Sequence, residues 1–529
     1  MSLIFFVYIC IMKRIQRILS VFLFATAIAT GASGEKIVIL HTNDTHSDID
    51  SSKGGIGGIL PRKAIVDSIR GAEKNVLLVD AGDMVQGTLY FNLYRGDVEY
   101  PLFNMMGYDV RILGNHEFDN GLEELARHWR GVKADALSAN YDFSDTPVKG
   151  IFKPYTIKKI GGKKIGFVGI NINPARLISG QNYEGVKFAD PIETANRVAA
   201  ELKHKKGCDL VVAVTHIGYD AEGTNLPTDP DLARSSRDID IIIGGHSHTF
   251  VDPAKPEKTP YLIPNAEGRD VLVVQTGKSG RNLGYIKIDT DKPGAAKYVY
   301  APIPVTDRFE KYDSRMVEFL QLYKAKVDSI NNRRIGYSSM AMDNMRRTGA
   351  YPNWAADFAL WMGNHIVDSL RIEKPDFPEV EIGFMNVGGI RQPMSEGVIT
   401  QGEMEATFPF SNDLEIIRIK GSEFIATMEK AAAKGGEGVS RDIRVITNPD
   451  GNVSVLYRNE PMDPEKEYTV CTISYLSQGN DGYEQMANHE KLWVDSDKVS
   501  KRILEYVEIL DRNGLAVDAD SRDRFIFRR

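Results

Sequence analysis

Short apolar runs alternate with longer amphipathic stretches between Lys36 and about Ile303. Buried strands are predicted for five runs rich in valine and isoleucine, at 36–40, 76–79, 110–113, 210–214 and 239–243. Amphipathic helices are predicted between some of them, at 59–69, 122–129 and 192–203. Two β-like runs flank Gly161-Gly162 and predict a hairpin. The alternation favours an α/β layer fold, and the hairpin would make its sheet mixed.

The pattern changes near residue 304. Pro302 and Pro304 end the strand-rich region, and Asp313 or Ser314 can cap a helix that keeps one apolar face over about four turns. Its apolar positions are Met316, Phe319, Leu320, Tyr323, Val327 and Ile330. We predict that this helix bridges two domains. Beyond Arg334, the pattern predicts a helix at 354–370, a strand and turn at 382–391, and strands at 414–419 and 468–476.

Composition limits the classes of function. The chain has 529 residues, 42% of them hydrophobic and 26% charged, which is typical of a folded protein with two or more domains. The formal charge is −7, and no stretch is basic enough to follow a phosphate backbone, which disfavours nucleic-acid binding. The three cysteines are too few and too scattered for a disulfide framework or a thiolate metal site.

The first 34 residues have the three-part layout of a secretory signal peptide. Lys13, Arg14 and Arg17 precede an apolar run at 18–29, and small residues follow up to Gly34. The run is shorter than the roughly 18–20 residues that cross a bilayer, so stable membrane insertion is not expected, although a membrane anchor is the alternative. We predict a periplasmic or secreted protein, whose start is Met1 or Met12. Cleavage would take the charge from −7 to −10, because it removes three basic and no acidic residues.

Metal-type side chains follow the five predicted strands of the first unit. They occur at Asp44-Thr45-His46, Gly82-Asp83, Gly114-Asn115-His116-Glu117, Thr215-His216 and Gly245-His246-Ser247-His248. In open α/β sheets, ligands bind beyond the carboxyl ends of the strands, so these segments can converge. Imidazole, carboxylate and amide ligands without thiolate favour hard or borderline divalent cations. These groups are too many for one tetrahedral ion and suit two ions that share a bridge.

These segments resemble the motifs of the calcineurin-like metallophosphoesterases. With His41-Thr42-Asn43-Asp44 at its start, the chain is more closely similar to the secreted bacterial 5′-nucleotidase and UDP-sugar hydrolase family. The resemblance implies one metal site of Asp44, His46, Asp83 and His248, and another of Asp83, Asn115, His216 and His246. It makes Asp83 the bridge between two divalent ions such as zinc or manganese. It also places His116 in a catalytic dyad, with Asp119 as its orienting partner.

The second unit carries motifs that resemble the nucleotide-binding segments of the same family. In the run Asn386-Val387-Gly388-Gly389-Ile390-Arg391, the resemblance implies that Asn386 faces the base and that Arg391 faces the phosphate. Phe410 and Tyr475 would flank the base, and Asp481 would bind the ribose hydroxyls. Arg346 and Arg347 are both candidates for a further phosphate contact. Tyr475 stands where the family usually has phenylalanine, so its hydroxyl needs a partner or water.

The resemblance also implies the architecture. A signal peptide at 1–34 would precede an N-terminal layered α-β-β-α metallophosphoesterase domain with mixed sheets at 35–310. A linker helix at 311–334 would follow, and then a smaller α+β nucleotide-binding domain at 335–522.

The implied activity is metal-dependent hydrolysis of nucleoside 5′-monophosphates, and of UDP-sugars or other nucleotides, by in-line attack of an activated water. The alternative within the superfamily is a 2′,3′-cyclic nucleotide 2′-phosphodiesterase and 3′-nucleotidase. Two further alternatives are a nucleotide-binding protein without catalysis and an esterase for a phosphate ester that is not a nucleotide.

Overall fold

A computed structural model describes residues 36–528 except 53, 176, 222–225 and 345–346. The predicted signal peptide at 1–34 and Arg346 lie outside the described residues. Within the described ranges, no helix is both long and apolar enough to cross a bilayer.

Two mixed β-sheets form the centre of the first unit. The first pairs its strands in the order Tyr298–Tyr300, Asn282–Asp289, Lys36–Thr42, Val76–Asp80, Val110–Ile112 and Asp135–Leu137, with Ile303–Pro304 beside Asn282–Asp289. The second has the order Leu262–Pro264, Asp270–Val274, Ile241–Ile243, Leu210–His216, Lys163–Asn171 and Tyr155–Ile160. The predicted hairpin is confirmed, because Tyr155–Ile160 pairs antiparallel with Lys163–Asn171. Tyr141–Asp142 and Lys187–Phe188 form a small separate ribbon.

The strand Lys36–Thr42 shows how this unit is layered. Ile37 and Ile39 pack in a buried cluster with apolar residues from both sheets, whereas Val38 and Leu40 pack among the helices outside the first sheet. Alternate residues of a strand face opposite sides, so one strand serves both layers. The α-helices of this unit are Ile59–Ala72, Leu89–Tyr94, Glu99–Met106, Gly121–Trp129, Pro191–Ala200 and Asp229–Ser235. The predicted α-β-β-α arrangement with mixed sheets is confirmed.

The predicted bridging helix spans Ser314–Asn331. Asp313 caps it by accepting hydrogen bonds from the backbone N–H groups of Arg315 and Met316. Met316, Leu320 and Val327 are buried in the helical layer of the first unit, as the apolar face predicts. Just beyond the end of the helix, Arg333 donates to the Gln401 side chain of the second unit at 2.6 Å.

The second unit has its own sheets and core. Its largest sheet has the order Gly438–Val439, Ile382–Met385, Glu467–Ile473, Asp413–Lys420 and Glu490–Lys498. A second sheet has the order Glu460–Pro461, Val453–Tyr457, Ile443–Thr447 and Phe525–Phe527, and Arg334–Ser338 pairs with Gly397–Thr400. Its α-helices are Ala350–Leu370, Gln401–Thr407, Gly421–Ala433, Ser474–Ser477 and Val499–Arg512.

Two predicted boundaries differ from the structure in this unit. The strand predicted at 468–476 ends at Ile473 and continues as a helical turn that still buries Leu476, so an apolar run could not locate its end. The strand Phe525–Phe527 pairs in parallel with Ile443–Thr447. The sheet therefore extends beyond residue 522, the end predicted for this domain.

Candidate active site

Five loops with metal-type side chains meet at one end of the two-sheet sandwich. Four of these segments follow the carboxyl end of a strand, Lys36–Thr42, Val76–Asp80, Val110–Ile112 or Ile241–Ile243, and His216 is itself the last residue of the strand Leu210–His216. The first three strands run parallel in one sheet, and the last two run parallel in the other. Both sheets therefore direct their loops to the place where α/β proteins bind ligands.

The backbone is left-handed at five of the seven predicted metal ligands. The φ angles are 49° at Asp44, 48° at His46, 51° at Asp83, 86° at His246 and 53° at His248. Such angles cost a residue with a side chain about 1 kcal/mol or more, so other contacts must hold them. Backbone hydrogen bonds link two of these loops, from Asp44 N–H to the Gly82 carbonyl and from His46 N–H to the Asp83 carbonyl. The loops therefore fix one another in a strained conformation.

The predicted ligand atoms converge in three overlapping groups. Atoms within 4.8 Å of one another come from Asp44, His46 and His248, from His46, Asp83 and His116, and from Asp83, His216 and His246. The Nε2 atoms of His46 and His248 are 2.9 Å apart. The Asn115 amide oxygen is 2.9 Å from Nδ1 of His246. Asp83 belongs to two groups, as a bridging ligand would, and its assignment as the bridge stays a prediction.

The His216 side chain fits a metal ligand. It is fully buried, and its Nδ1 lies 2.7 Å from the Ala81 carbonyl, so Nδ1 donates there and Nε2 is the nitrogen that would hold a metal. Nε2 has no hydrogen-bond partner among the described residues and lies 3.1 Å from the Asp83 carboxylate. Burial alone would lower the pKa of His216, but the carboxylates of Asp83 and Asp44 raise it to about 10. This negative field and the nitrogen and oxygen donors suit a divalent cation.

Glu117 ties two of the ligand loops together, a role that the sequence did not reveal. Its buried carboxylate accepts hydrogen bonds from the backbone N–H groups of Asp83 at 3.1 Å, Met84 at 2.9 Å and Gly114 at 2.5 Å. Burial and the Asp83 carboxylate raise the pKa of Glu117 to about 7. The only sequence signal is its place directly after Gly-Asn-His.

A loop at 276–280 packs against the first ligand loop and was also missed. The Asn43 amide oxygen accepts from the Thr276 N–H and hydroxyl, and its NH₂ group donates to the Gly277 carbonyl and the Asp44 carboxylate. This loop carries Lys278, whose pKa is lowered by burial and by the nearby Arg391. Lys278 and Arg391 are thus two cationic side chains close to the cluster of metal-type side chains.

His116 and Asp119 form the predicted pair. His116 Nδ1 lies 2.9 Å from Asp119 Oδ2, and the His116 backbone N–H donates to Asp83 Oδ1 at 2.8 Å. Burial alone would lower the pKa of His116, but Asp119 and Asp83 outweigh it and raise the pKa. The contact fixes the imidazole orientation and leaves Nε2 as its available nitrogen.

The second unit places its predicted residues against this cluster. The Phe410 ring stacks on His116 with 5.9 Å between ring centroids, and the Arg391 guanidinium lies 5.7 Å from the Phe410 centroid. The Arg391 charge lowers the pKa of His246 and His248, after the larger effects of burial and neighbouring histidines. The two units therefore form one continuous site.

Three other predicted residues of the second unit contact one another. Asp481 accepts hydrogen bonds from the Asn386 NH₂ group at 2.9 Å and from the Tyr475 hydroxyl at 3.1 Å. Tyr475 thus has the partner that its hydroxyl requires. The Asn386 Oδ1 atom is buried and has no hydrogen-bond partner among the described residues.

Arg347 contacts Glu437, which anchors the turn at 386–391, rather than the cluster of metal-type side chains. It lies 3.5 Å from the Glu437 carboxylate, which accepts from the Val387 N–H at 2.6 Å and the Tyr483 hydroxyl at 3.0 Å. The roles of all these residues in binding and catalysis stay predictions.

Known proteins share both units of the chain. A calcineurin-like phosphoesterase model matches residues 37–250, and a 5′-nucleotidase C-terminal domain model matches residues 335–489. The mouse (Mus musculus) 5′-nucleotidase is 29% identical, over 90% of this chain and 88% of its own length. The crystal structure of a 5′-nucleotidase precursor from Thermus thermophilus superposes with a TM-score of 0.80 at 28% identity, over 93% of this chain and 99% of that one.

The fold alone is shared more widely than the sequence. The sulfate thiohydrolase SoxB from Thermus thermophilus has a TM-score of 0.71 at 16% identity, over 94% of this chain and 97% of that one. The agreement of both domain models, their order and the full-length relatives is more specific than the fold. The chain belongs to the 5′-nucleotidase family, with a calcineurin-like phosphoesterase domain followed by a 5′-nucleotidase C-terminal domain.

Proposed function

We propose that this protein is a metal-dependent 5′-nucleotidase that hydrolyses nucleoside 5′-monophosphates to nucleoside and phosphate. The observation that carries the proposal is the stacking of Phe410, from the nucleotide-binding motifs, on His116 beside the metal-type cluster. This contact supports a single site in which Phe410 would stack on the base and His116 would transfer a proton. The family membership and the names of the relatives support the same activity.

Two divalent cations, zinc, manganese or similar, would be held by two sets of side chains. The proposed sets are Asp44, His46, Asp83 and His248, and Asp83, Asn115, His216 and His246. When bound, such ions acidify water and neutralise the phosphoryl oxygens of an ester. Asp83→Asn would weaken both sets, because an amide is neutral, so elemental analysis should find less metal and phosphate release should stop. Asp97→Asn, which weakens an exposed ion pair with Arg127 and a 4.0 Å contact with His128, should change neither.

Side chains of both domains would bind the phosphate and the nucleoside and transfer the proton. Arg391 would hold the phosphate by charge-assisted hydrogen bonds, together with Arg346 or Arg347. Asp119 would keep a proton on Nδ1 of His116, so that the Nε2 proton could pass to the leaving oxygen. Phe410 and Tyr475 would stack on the base, Asn386 would contact its edge, and Asp481 would accept from the ribose hydroxyls.

A substrate panel tests the proposed reaction. Purified protein should release phosphate from AMP faster than from 2′,3′-cyclic AMP, and UDP-glucose would measure how far the activity extends to nucleotide sugars. No turnover of AMP with metal present would refute the proposal, and preferred turnover of the cyclic nucleotide would favour the phosphodiesterase alternative.

We also propose a location and a domain division. The layout of residues 1–34 and the word "precursor" in the name of the Thermus relative support a cleaved signal peptide and a periplasmic or secreted enzyme. The first domain would span 35–310, the linker 311–334, and the second domain would run from 335 to the strand Phe525–Phe527. The mass of the protein recovered from the extracytoplasmic fraction would show whether the chain begins near residue 35.

A further inference from the structure

Three side chains form a chain of hydrogen bonds in the second domain. The Tyr475 hydroxyl donates to Oδ1 of Asp481, and the Asn386 NH₂ group donates to Oδ2. A carboxylate has about four acceptor positions, so each oxygen keeps about one more. Two donors that approach side by side, such as a vicinal diol, match what remains.

Hydrogen bonds hold the backbone around Asp481 as well as its carboxylate. Its φ is 57°, in the left-handed region. The Lys434 ammonium donates to the Asp481 carbonyl, and the Lys430 ammonium donates to the Gly482 carbonyl at 2.9 Å. The Asn480 NH₂ group donates to the Tyr475 carbonyl at 2.9 Å, which fastens the loop to the helical turn Ser474–Ser477. With the main chain fixed, rotation of the Asp481 side chain is the motion that Tyr475 and Asn386 restrain.

Asn386 cannot replace the contribution of Tyr475. A carboxylate only accepts, so the Asn386 amide must present its NH₂ group to Asp481. Asn386 is also only 6% exposed, and its turn is anchored to Glu437 through the Val387 N–H. Asn386 therefore fixes one oxygen of Asp481, and the Tyr475 hydroxyl is needed to fix the other.

We propose that the Tyr475 hydroxyl determines sugar specificity by orienting the Asp481 carboxylate toward the 2′,3′-diol of a ribonucleotide, an inference that rests on the proposed nucleotidase function. Tyr475 is in this respect a positioning residue that acts through Asp481. Loss of either diol hydroxyl would leave one half-buried carboxylate oxygen without its last donor. A carboxylate free to rotate could find another donor, so the hydroxyl sharpens the discrimination against deoxyribose.

The test compares substrates that differ only in the sugar. Wild-type enzyme should favour AMP over 2′-deoxy-AMP by about 10- to 100-fold in kcat/KM, the effect of one lost hydrogen bond to a charged group. Tyr475→Phe keeps the stacking ring but removes the hydroxyl that orients Asp481. We therefore expect the KM for AMP to rise about tenfold with little change in kcat, and the preference for ribose to shrink to about threefold or less.

Two further variants keep the test decisive. Tyr468→Phe removes a buried hydroxyl from the same domain, one that accepts from the Asp463 N–H, and should leave the ribose preference unchanged. Because Tyr475 acts through Asp481, the double variant Tyr475→Phe/Asp481→Asn should be no worse toward AMP than Asp481→Asn alone. Additive losses, an unaltered ribose preference in Tyr475→Phe, or no such preference in the wild type would overturn the inference. Wild-type enzyme inactive toward AMP would instead overturn the proposed function.

Discussion

Single residues at this site combine a strained backbone with shared hydrogen bonds. Left-handed conformations at Asp44, His46 and Asp83 aim their side chains inward, and each is held by contacts from another loop. The convergence of the candidate ligand side chains could be predicted, because aspartate and histidine after a strand are a strong local signal. Glu117 and Asn43 could not, because their role depends on backbone groups that come together only in the fold.

Replacement of Glu117 by glutamine should loosen the ligand loops. The two carboxylate oxygens accept from three backbone N–H groups, whereas a glutamine offers one acceptor oxygen, so at least one buried donor loses its partner. We expect the free energy of unfolding of the first domain to fall by about 1–3 kcal/mol, and metal affinity to fall about 10- to 100-fold.

Chelator competition and thermal unfolding would measure both effects of Glu117→Gln. Glu123→Gln changes a carboxylate nearby and serves as the matched control. Unchanged metal affinity in Glu117→Gln would show that the three hydrogen bonds do not position the ligands.

Among the secondary-structure elements, the helix Glu99–Met106 begins with a fully buried carboxylate. The Glu99 side chain accepts a hydrogen bond from the Ser47 hydroxyl, beside the first ligand loop. Burial raises the pKa of Glu99 from 4.5 to about 7. The native state thus favours the protonated form, and this contribution is complete below about pH 4.5 and is lost as the pH rises through about 7.

Glu99→Gln should therefore change how stability depends on pH. Relative to the variant, wild-type protein should lose up to about 3 kcal/mol between pH 4.5 and 7 and little more above pH 7. Melting temperatures measured from pH 5 to 8 at constant ionic strength would follow the difference. Parallel curves for the two proteins would mean that Glu99 titrates normally in the folded state.

The junction between the linker helix Ser314–Asn331 and the helix Gln401–Thr407 has no room for a side chain at Gly402. A Cβ atom there would lie 2.1 Å from the Asn331 side-chain oxygen and 2.6 Å from the Asn331 Cα. Alanine favours a helix by about 1 kcal/mol over glycine, but the clash with Asn331, which includes its main-chain Cα, outweighs that gain. Gly402→Ala should therefore separate the two helices and shift the second domain relative to the first.

A fall in melting temperature and in kcat/KM for AMP would reveal that shift. Gly71→Ala is the matched control, because Gly71 lies in an exposed helix position with no atom within 4 Å of its Cβ, and it should stabilise the protein. A Gly402→Ala variant as stable and active as wild type would show that the junction adjusts without cost.

Element types were more predictable than their ends. Periodicity found the buried strands, the hairpin and the apolar face of Ser314–Asn331, because those features are local. It extended the strand Glu467–Ile473 into the turn Ser474–Ser477, because Leu476 is buried in either conformation. It gave no sign that Phe525–Phe527 returns to pair with Ile443–Thr447, since that contact joins distant segments.

For the molecule as a whole, metal binding should stabilise the folded state. The first domain gathers several carboxylates and imidazoles in a buried cluster, and cations bound only to the native state stabilise it by mass action. Exhaustive chelation should therefore abolish phosphate release and lower the melting temperature of the first transition. Added manganese or zinc should restore both, and full activity in protein shown to be free of metal would refute the proposed metal dependence.

The supply of ligands by both sheets has a consequence for the order of events during synthesis. Asp44 and His46 emerge early from the ribosome, but His246 and His248 lie some 200 residues later and follow a strand of the other sheet. An incomplete chain thus carries no more than a partial, weakly binding set. We therefore expect metal uptake to be a late step in the maturation of the protein, after the two sheets have packed together.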